Sequence, residues 1–287
     1  MIRFSIGIMG LAAILLVAGN TESSYSDSIR AWQQKRDAAL RSPDGWLALV
    51  GLFWLRPGDN TIGSADSNDF VLPKGSAPAE VGRLHLAGET VVFTAFDGSS
   101  RRLSYDEQKP DVVHAGSVAF YVIKRGDRLA VRAKDSSSPV LKNFNGMSYF
   151  PVNPELHFTA HLVPDPKKIP ILNILGETEM QDSPGTVEFT YKGQRYSLRP
   201  IFEDQTLFFL FKDPTNKTET YQAGRMLNTP LPVEGRVDLD FNRAYNPPCT
   251  FTPFATCPLP PKENTLSFPV NAGEMRYGNG HEYSARR

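Results

Sequence analysis

The chain has 287 residues, and its 31 lysines and arginines are balanced by 31 aspartates and glutamates. A neutral chain without a basic block lacks the electrostatic footprint of a nucleic-acid-binding protein, so we predict no nucleic-acid partner. Its 23 prolines and 22 glycines are scattered among aromatic and β-branched runs, a mixture typical of many short strands joined by tight turns. The composition therefore predicts a mainly β protein, long enough for one large or two small domains.

The N-terminus has the pattern of a secretory signal peptide. Met1-Ile2-Arg3 is a short basic start, Phe4–Gly19 is an uncharged apolar run, and Leu16–Gly19 ends in small residues. The apolar run is short and poorly flanked for a membrane span. We therefore predict a signal peptide over residues 1–20 and a periplasmic or secreted protein, with a retained N-terminal membrane anchor as the alternative.

One segment has the spacing of an amphipathic helix. Apolar residues recur there at helical intervals, and the turn sequence Ser42–Gly45 ends the pattern. We predict a helix over Ser28–Leu40, within the segment 21–45, that packs Trp32 against the body of the protein.

Apolar or alternating runs bounded by turn residues predict strands along the rest of the chain. Two tight hairpin turns are expected, at Gly126-Asp127 and at Lys192-Gly193. The predicted strands are Trp46–Phe53, Val91–Phe96, Phe120–Lys124, Leu129–Ala133, His157–Leu162, Val187–Tyr191, Tyr196–Ile201, Thr206–Phe211 and Asn264–Val270.

Two proline-containing stretches, Tyr149–Pro154 and Pro164–Pro166, interrupt the strand pattern and predict a boundary near residues 150–156. We predict an N-terminal β module over residues 46–150, a C-terminal β module over residues 151–275 and a polar tail over residues 276–287. The run Leu207–Phe211 has no polar face and must be covered on both sides. We therefore expect two β-sandwich or barrel-like modules packed together.

The segment Arg236–Asn242 alternates like a strand, which places Asp238, Asp240 and Asn242 on one face. One interpretation is an ordinary half-buried strand whose polar face meets water. The other is a pocket wall, where the two carboxylates act as an acid–base pair or bind a hard divalent cation.

The two cysteines, Cys249 and Cys257, are eight residues apart, which is not the spacing of a redox or zinc motif. In an exported protein we expect them to form a disulfide that closes the short loop. Two buried free thiols are the alternative interpretation.

Other polar residues near this segment are candidates for ligand binding. Arg225 would clamp an anionic group or neutralise the nearby aspartates. Glu263 is a further candidate acid beside Asp240 and Asp238. The remaining candidate ligand-binding residues are Tyr221, Asn242, Tyr245, Asn246 and Asn264.

No motif of the sequence requires a cofactor. The chain contains no nucleophile elbow, zinc helix, Walker loop or dinucleotide-binding fingerprint. His157 and His161 share one face of a predicted strand, which allows paired metal ligation or an ordinary hydrogen-bonded pair.

Several segments resemble the bacterial family catalogued as domain of unknown function 1684. They are Gly45–Leu55 and Gly58–Asn60 with Ile62–Ser64 near the N-terminus, and Tyr221–Leu227, Asp240–Cys249 and Cys257–Pro261 with Asn264 in the C-terminal half. The resemblance implies a fold and a site region, and it implies no established activity.

The segments Ile62–Ser64, Asn68–Pro73 and Arg83–Leu86 are similar in rhythm to the forkhead-associated β-sandwich, a phosphopeptide-binding module. Ser64 stands where that module has an arginine, so the donors for a phosphate are not where they are needed. We take from this similarity a sandwich-like architecture and no phosphopeptide binding.

Two functional hypotheses follow. The first is an exported protein that binds a small polar ligand or a cell-envelope component at the acidic Asn/Pro/Cys loop. The alternative is a hydrolase or lyase that acts on a carbohydrate or envelope substrate through Asp240, assisted by Asp238 or Glu263. Membrane contact is expected only through an uncleaved N-terminal segment.

Overall fold

A computed structural model of the protein describes residues 12–278. The first eleven residues of the predicted signal peptide and the last nine of the predicted polar tail lie outside the described residues. At the start of that tail, Arg276 donates from Nε to the Thr220 carbonyl, and the Tyr277 ring packs on Phe144 and Phe251.

The N-terminal helix α1 spans Ala12–Leu40, so it contains the predicted helix and begins earlier than we expected. Ile29 and Leu40 are buried, and the Trp32 ring meets the Tyr149 ring edge-on, as the predicted docking of Trp32 requires. In the described part of the chain, no helix combines the length and apolar character needed to cross a membrane. The other helix, α2, is the single turn Pro139–Lys142.

The first half of the chain forms two antiparallel-rich sheets. One sheet has the strand order β1-β9-β8-β7, and the other has the order β3-β2-β4-β5-β6. Their strands are β1 Leu49–Trp54, β2 Gly58–Gly63, β3 Phe70–Val71, β4 Gly82–Ala87, β5 Thr90–Ala95, β6 Ser100–Arg102, β7 Val113–Ala115, β8 Val118–Arg125 and β9 Arg128–Asp135. Inward side chains of both sheets, including Ile62, Leu84, Phe120 and Val131, share one hydrophobic core.

The second half forms two more sheets, of orders β12-β11-β10-β16 and β13-β14-β15. Their strands are β10 His157–Leu172, β11 Thr178–Tyr191, β12 Gln194–Leu198, β13 Ile201–Glu203, β14 Thr206–Phe211, β15 Arg225–Pro230 and β16 Arg236–Asp240. Strand β14 is covered on both faces, as its continuous apolar run predicted. Leu207 and Phe209 join the main core of this half, whereas Phe208 and Leu210 pack with Ile171 and other residues on the opposite side.

The predicted fold class is confirmed, since the protein is mainly β with several sheets and, in the described part, no closed barrel. The two predicted hairpins are also confirmed, because Arg125 pairs with Arg128 and Tyr191 pairs with Gln194. The boundary near residues 150–156 stays a prediction.

Four strand predictions need correction. Trp46–Ala48 is a 3-10 turn ahead of β1, and Phe241–Arg243 is a 3-10 turn after β16. Pro200, which lacks a backbone N–H, separates β12 from β13 where we expected one strand. The predicted strand Asn264–Val270 is irregular and keeps one bridge, between Lys212 and Thr265.

Candidate functional site

Asp240 ends β16 and is buried, with its carboxylate turned towards helix α1. Its Oδ1 atom accepts hydrogen bonds from the Tyr25 hydroxyl at 2.9 Å and from the backbone N–H of Asn242 at 3.0 Å. Burial, followed by the charge of Asp240, raises the pKa of the Tyr25 phenol, which keeps it a neutral donor. This carboxylate therefore fastens α1 to the C-terminal half.

Asn242 completes the same network. Its Nδ2 donates to Asp240 Oδ1 at 3.0 Å and to the Asn153 carbonyl at 2.9 Å, and its Oδ1 accepts from the Asn153 N–H at 2.8 Å. Nδ2 also lies 2.9 Å from the Tyr25 hydroxyl of α1, so the side chain of Asn242 ties together three segments of the chain.

Asp238, by contrast, is exposed and bonds to His157 Nε2, and the His157 ring stacks on the Tyr25 ring with centroids 5.1 Å apart. His161 lies four residues further along β10 and pairs with Arg236 in the sheet register. Among residues 12–278 there is no group of three or more His, Cys, Asp or Glu side chains that could hold a metal ion.

The structure does not bring Glu263 to this network. Glu263 is exposed and lines a shallow hollow whose charged neighbours are Lys167 and Arg199. Asn264 beside it is buried and uses its amide within the fold. It accepts from the Arg199 N–H at 2.7 Å and donates to the carbonyls of Arg199 and Leu210.

Arg225 is fully buried, and its partner is Asp213 rather than either predicted aspartate. The guanidinium lies 2.9 Å from the Asp213 carboxylate and also donates to the carbonyls of Val270 and Ala272. Such a paired and hydrogen-bonded buried ion holds the irregular C-terminal segment in place.

The predicted disulfide is confirmed, because Cys249 and Cys257 are bonded and their Cα atoms lie 6.2 Å apart. The buried side chains of Tyr221 and Ala255 pack around it. The bond fixes the loop between the two cysteines, and Ala255, Thr256 and Cys257 of this loop form one wall of a cleft.

This cleft has a volume of about 460 Å³ and lies between residues of both halves. Arg125 and Arg132 line it from the first half, and Tyr245 and Asn246 line it from the second. Its apolar floor is the face of the β13–β14–β15 sheet opposite the main core. Ile201, Phe208 and Met226 of this sheet form the floor together with Ile171 of β10 and the ring of Tyr245.

Asn246 is the predicted site residue with the most informative surroundings. It is completely buried, its N–H donates to Glu274 Oε2 at 2.7 Å, and its Nδ2 donates to the Met275 carbonyl at 2.7 Å. Its Oδ1 has no hydrogen-bond partner within the protein. Buried polar atoms are nearly always paired, so this atom calls for an explanation.

Glu274 and Arg36 hold the backbone of Asn246 in position through hydrogen bonds. Glu274 is fully buried and pairs with Arg36 Nε at 2.7 Å, and Arg36 also donates to the Asn246 carbonyl at 3.2 Å. The Arg36 guanidinium lies over the Tyr245 ring, 4.8 Å from its centroid. Helix α1 thus positions two lining residues of the cleft.

Arg132 is the second residue of the cleft with an unpartnered buried atom. It lies in the central strand β9, only 6% exposed, and its Nε has no hydrogen-bond partner. Burial lowers the pKa of its guanidinium, and the ring of Trp46 lies 5.6 Å from the guanidinium carbon.

Sequence reasoning missed Arg132 and Arg36 as site residues. Arg132 lies in the predicted strand Leu129–Ala133, which the structure confirms as part of β9, but the strand pattern did not mark Arg132 as a site residue. The one available signal was a lone arginine within the apolar run that starts at Leu129, because a charge in such a run needs a special environment.

These features define a mainly β protein. Each half of the chain forms two sheets, and a cleft of the size of a small ligand lies between the halves. The chain belongs to the family described as protein of unknown function DUF1684, whose model matches residues 142–275. The N-terminal segments for which we expected the same resemblance lie outside the matched range, and the bacterial origin stays an expectation.

The chain is also similar to an uncharacterized protein of Haloarcula marismortui whose structure was determined by NMR in solution. The two are 30% identical, the match covers 47% of this chain and 78% of the other, and the TM-score is 0.39. The comparison with curated proteins gave no match.

Proposed function

We propose that the protein is a binding protein that holds a small polar ligand, of the kind found in the cell envelope, in the cleft between its halves. The observation that carries this proposal is the buried, unpartnered Oδ1 of Asn246, a residue that lines the cleft of about 460 Å³. Small-molecule sites are clefts of roughly 300–1,000 Å³ with apolar walls and a few precisely placed polar groups.

The cleft adjoins the Asn/Pro/Cys loop, where we expected the site. Tyr245, Asn246 and Cys257 of that loop line it, whereas the aspartates do not. Binding is favoured over the alternative, a hydrolase or lyase acting through Asp240, because Asp240 is buried and does not line the cleft, with its Oδ1 accepting from Tyr25 and Asn242 and its Oδ2 lying 3.4 Å from Arg243 Nε. A catalytic acid or base must instead reach a proton of the substrate.

Export to the periplasm or the exterior is part of the proposal. It is supported by the signal-like residues 1–20 and by the disulfide, a bond that persists in oxidising compartments.

A thermal-shift screen tests the proposal. The full chain is heated with envelope sugars, peptidoglycan fragments and small organic acids, and a compound present at a hundred times its dissociation constant stabilises the protein by about 2.7 kcal/mol. Gln181 lines the cleft and is only half-buried, so Gln181→Trp narrows the cleft without disturbing a core.

The matched control is Gln194→Trp, because Gln194 is exposed at the start of β12 and does not line the cleft. We expect at least one compound to raise the melting temperature of the wild type and of Gln194→Trp but not that of Gln181→Trp. Equal shifts in all three proteins would place binding elsewhere and refute the proposal.

A further inference from the structure

We infer that the ligand carries an anionic group, a carboxylate or phosphate, that pairs with Arg132, and a hydrogen-bond donor that pairs with Asn246. This inference rests on the proposed function of the cleft. It names the chemical class of the ligand: a small amphipathic anion with a hydroxyl or amide N–H.

The other cations that line the cleft are already paired with carboxylates of the protein. Arg36 pairs with Glu274 at 2.7 Å, Lys124 with Glu89 at 2.8 Å, and Arg125 with Glu107 at 3.2 Å. Arg132 has no carboxylate within ion-pair distance among the described residues, although it is the most buried of the four.

A buried guanidinium without a counter-charge is costly, because burial disfavours the charged form and a guanidinium does not give up its proton in proteins. The ring of Trp46 and the nearby Tyr121 side chain supply no counter-charge. An anion bound in the cleft supplies the missing charge, and the planar fork of donors suits carboxylate and phosphate oxygens.

The Asn246 amide cannot exchange its oxygen and nitrogen. Its Nδ2 must donate to the Met275 carbonyl, since the opposite orientation would place two oxygens 2.7 Å apart. The unpartnered Oδ1 is therefore an acceptor, and the matching ligand group is an O–H or N–H donor.

The rest of the cleft is suited to an apolar segment. Ile171, Ile201, Phe208 and Met226 form its floor, and the Tyr245 ring continues that surface. The lining carboxylates, Glu107, Glu179 and Glu203, are exposed, so they do not neutralise Arg132 in the interior.

Matched pairs of probes test this inference by calorimetric titration of the full chain. The first pair is 3-phenyllactate and its neutral amide, and the second is phenyl phosphate and phenol. A third comparison, with 3-phenylpropanoate, removes only the hydroxyl meant for Asn246. Of the two anions, we expect the one that binds more tightly to bind about tenfold or more tightly than its neutral partner. We also expect 3-phenyllactate to bind several-fold more tightly than 3-phenylpropanoate.

The variant Arg132→Gln removes the charge, and we expect it to abolish the preference for the anion. Arg132→Lys keeps the charge but lacks the planar fork, so it retains part of the preference. The matched control Arg195→Gln replaces an exposed arginine outside the cleft and leaves the preference unchanged. Cooperative unfolding of each variant shows that it is folded.

The outcomes separate the inference from the proposed function. Equal binding of each anion and its neutral partner, blocked by Gln181→Trp, would overturn the inference and leave the cleft a binding site. An anion preference that survives Arg132→Gln would overturn it as well. If no probe bound in a manner sensitive to Gln181→Trp, both the inference and the proposed function would fail.

Discussion

Two buried arginines of this chain have opposite surroundings. The Nε of each lacks a hydrogen-bond partner, but Arg225 is paired with Asp213 and donates to two carbonyls, whereas Arg132 has no carboxylate within ion-pair distance. Side chains that serve only the fold are usually satisfied within it, while a binding site keeps groups whose partner is the ligand.

This contrast predicts opposite effects of the same substitution. Arg225→Met strands the Asp213 carboxylate and lowers the free energy of unfolding by roughly 3–5 kcal/mol. Arg132→Met removes an uncompensated charge, so stability without ligand stays unchanged or rises by about 1 kcal/mol. Urea unfolding of both variants measures these changes, and a large loss of stability in Arg132→Met would show that Arg132 is structural.

Glu274 gives a pH dependence of known sign. Burial raises the pKa of its carboxyl above the ordinary value of 4.5, although Arg36 acts in the opposite direction. The folded protein therefore binds this proton more tightly than the unfolded chain does. The resulting stabilisation is present below the unfolded pKa and is lost as pH rises through the folded pKa.

We predict that the wild type loses stability relative to Glu274→Gln as pH rises from about 4 to 7, by up to about 1.4 kcal/mol for each unit of pKa difference. Urea midpoints of both proteins across this range give the difference, and the variant serves as the reference that does not titrate. A difference that grows in favour of the wild type with rising pH would mean that Arg36 dominates and that the pKa is lowered.

At the scale of elements, a helix and a loop assemble the cleft. Helix α1 is fastened at Tyr25 through Asp240 and at Arg36 through Glu274, and the second contact lies directly behind Asn246. The loop closed by Cys249 and Cys257 supplies the opposite wall.

Loss of the disulfide should weaken both the fold and the site. A bond closing so short a loop contributes roughly 2.5 kcal/mol through the entropy of the unfolded chain. We expect the double variant Cys249→Ala, Cys257→Ala to lose about that much stability and to bind cleft ligands less tightly, because the wall at Ala255–Pro258 is no longer held. Reducing agent should lower the stability of the wild type to that of the double variant and leave the stability of the variant unchanged. A wild type whose stability does not change on reduction would contradict this account.

At the scale of the whole molecule, local patterns predicted most of the architecture. Local sequence was enough to predict the tight turns at Gly126 and Lys192 and the apolar run Leu207–Phe211 that is buried on both faces, because each pattern depends on neighbouring residues alone. The short strands, such as Arg225–Pro230, were missed because sheet partners distant in sequence determine them.

The site was less predictable for the same reason. The sequence indicated Asn246 and the disulfide loop, but it placed Asp238 and Asp240 on one strand face, which would either meet water or line a pocket. The structure instead leaves Asp238 exposed and turns Asp240 to Tyr25, a residue 215 positions away. Arg132 becomes a candidate site residue only because residues of the second half line the same cleft. A local sequence pattern carries no information about that arrangement.

The most direct test of the cleft as a binding site is a methyl NMR titration of the full chain, labelled at isoleucine and methionine methyl groups, with 3-phenyllactate. Ile171, Ile201 and Met226 form the cleft floor, whereas Ile62 lies in the core of the first half and serves as the internal control. Our account predicts saturable shifts at the three floor residues and none at Ile62. Shifts centred on other methyl groups, or none at the floor residues, would contradict it.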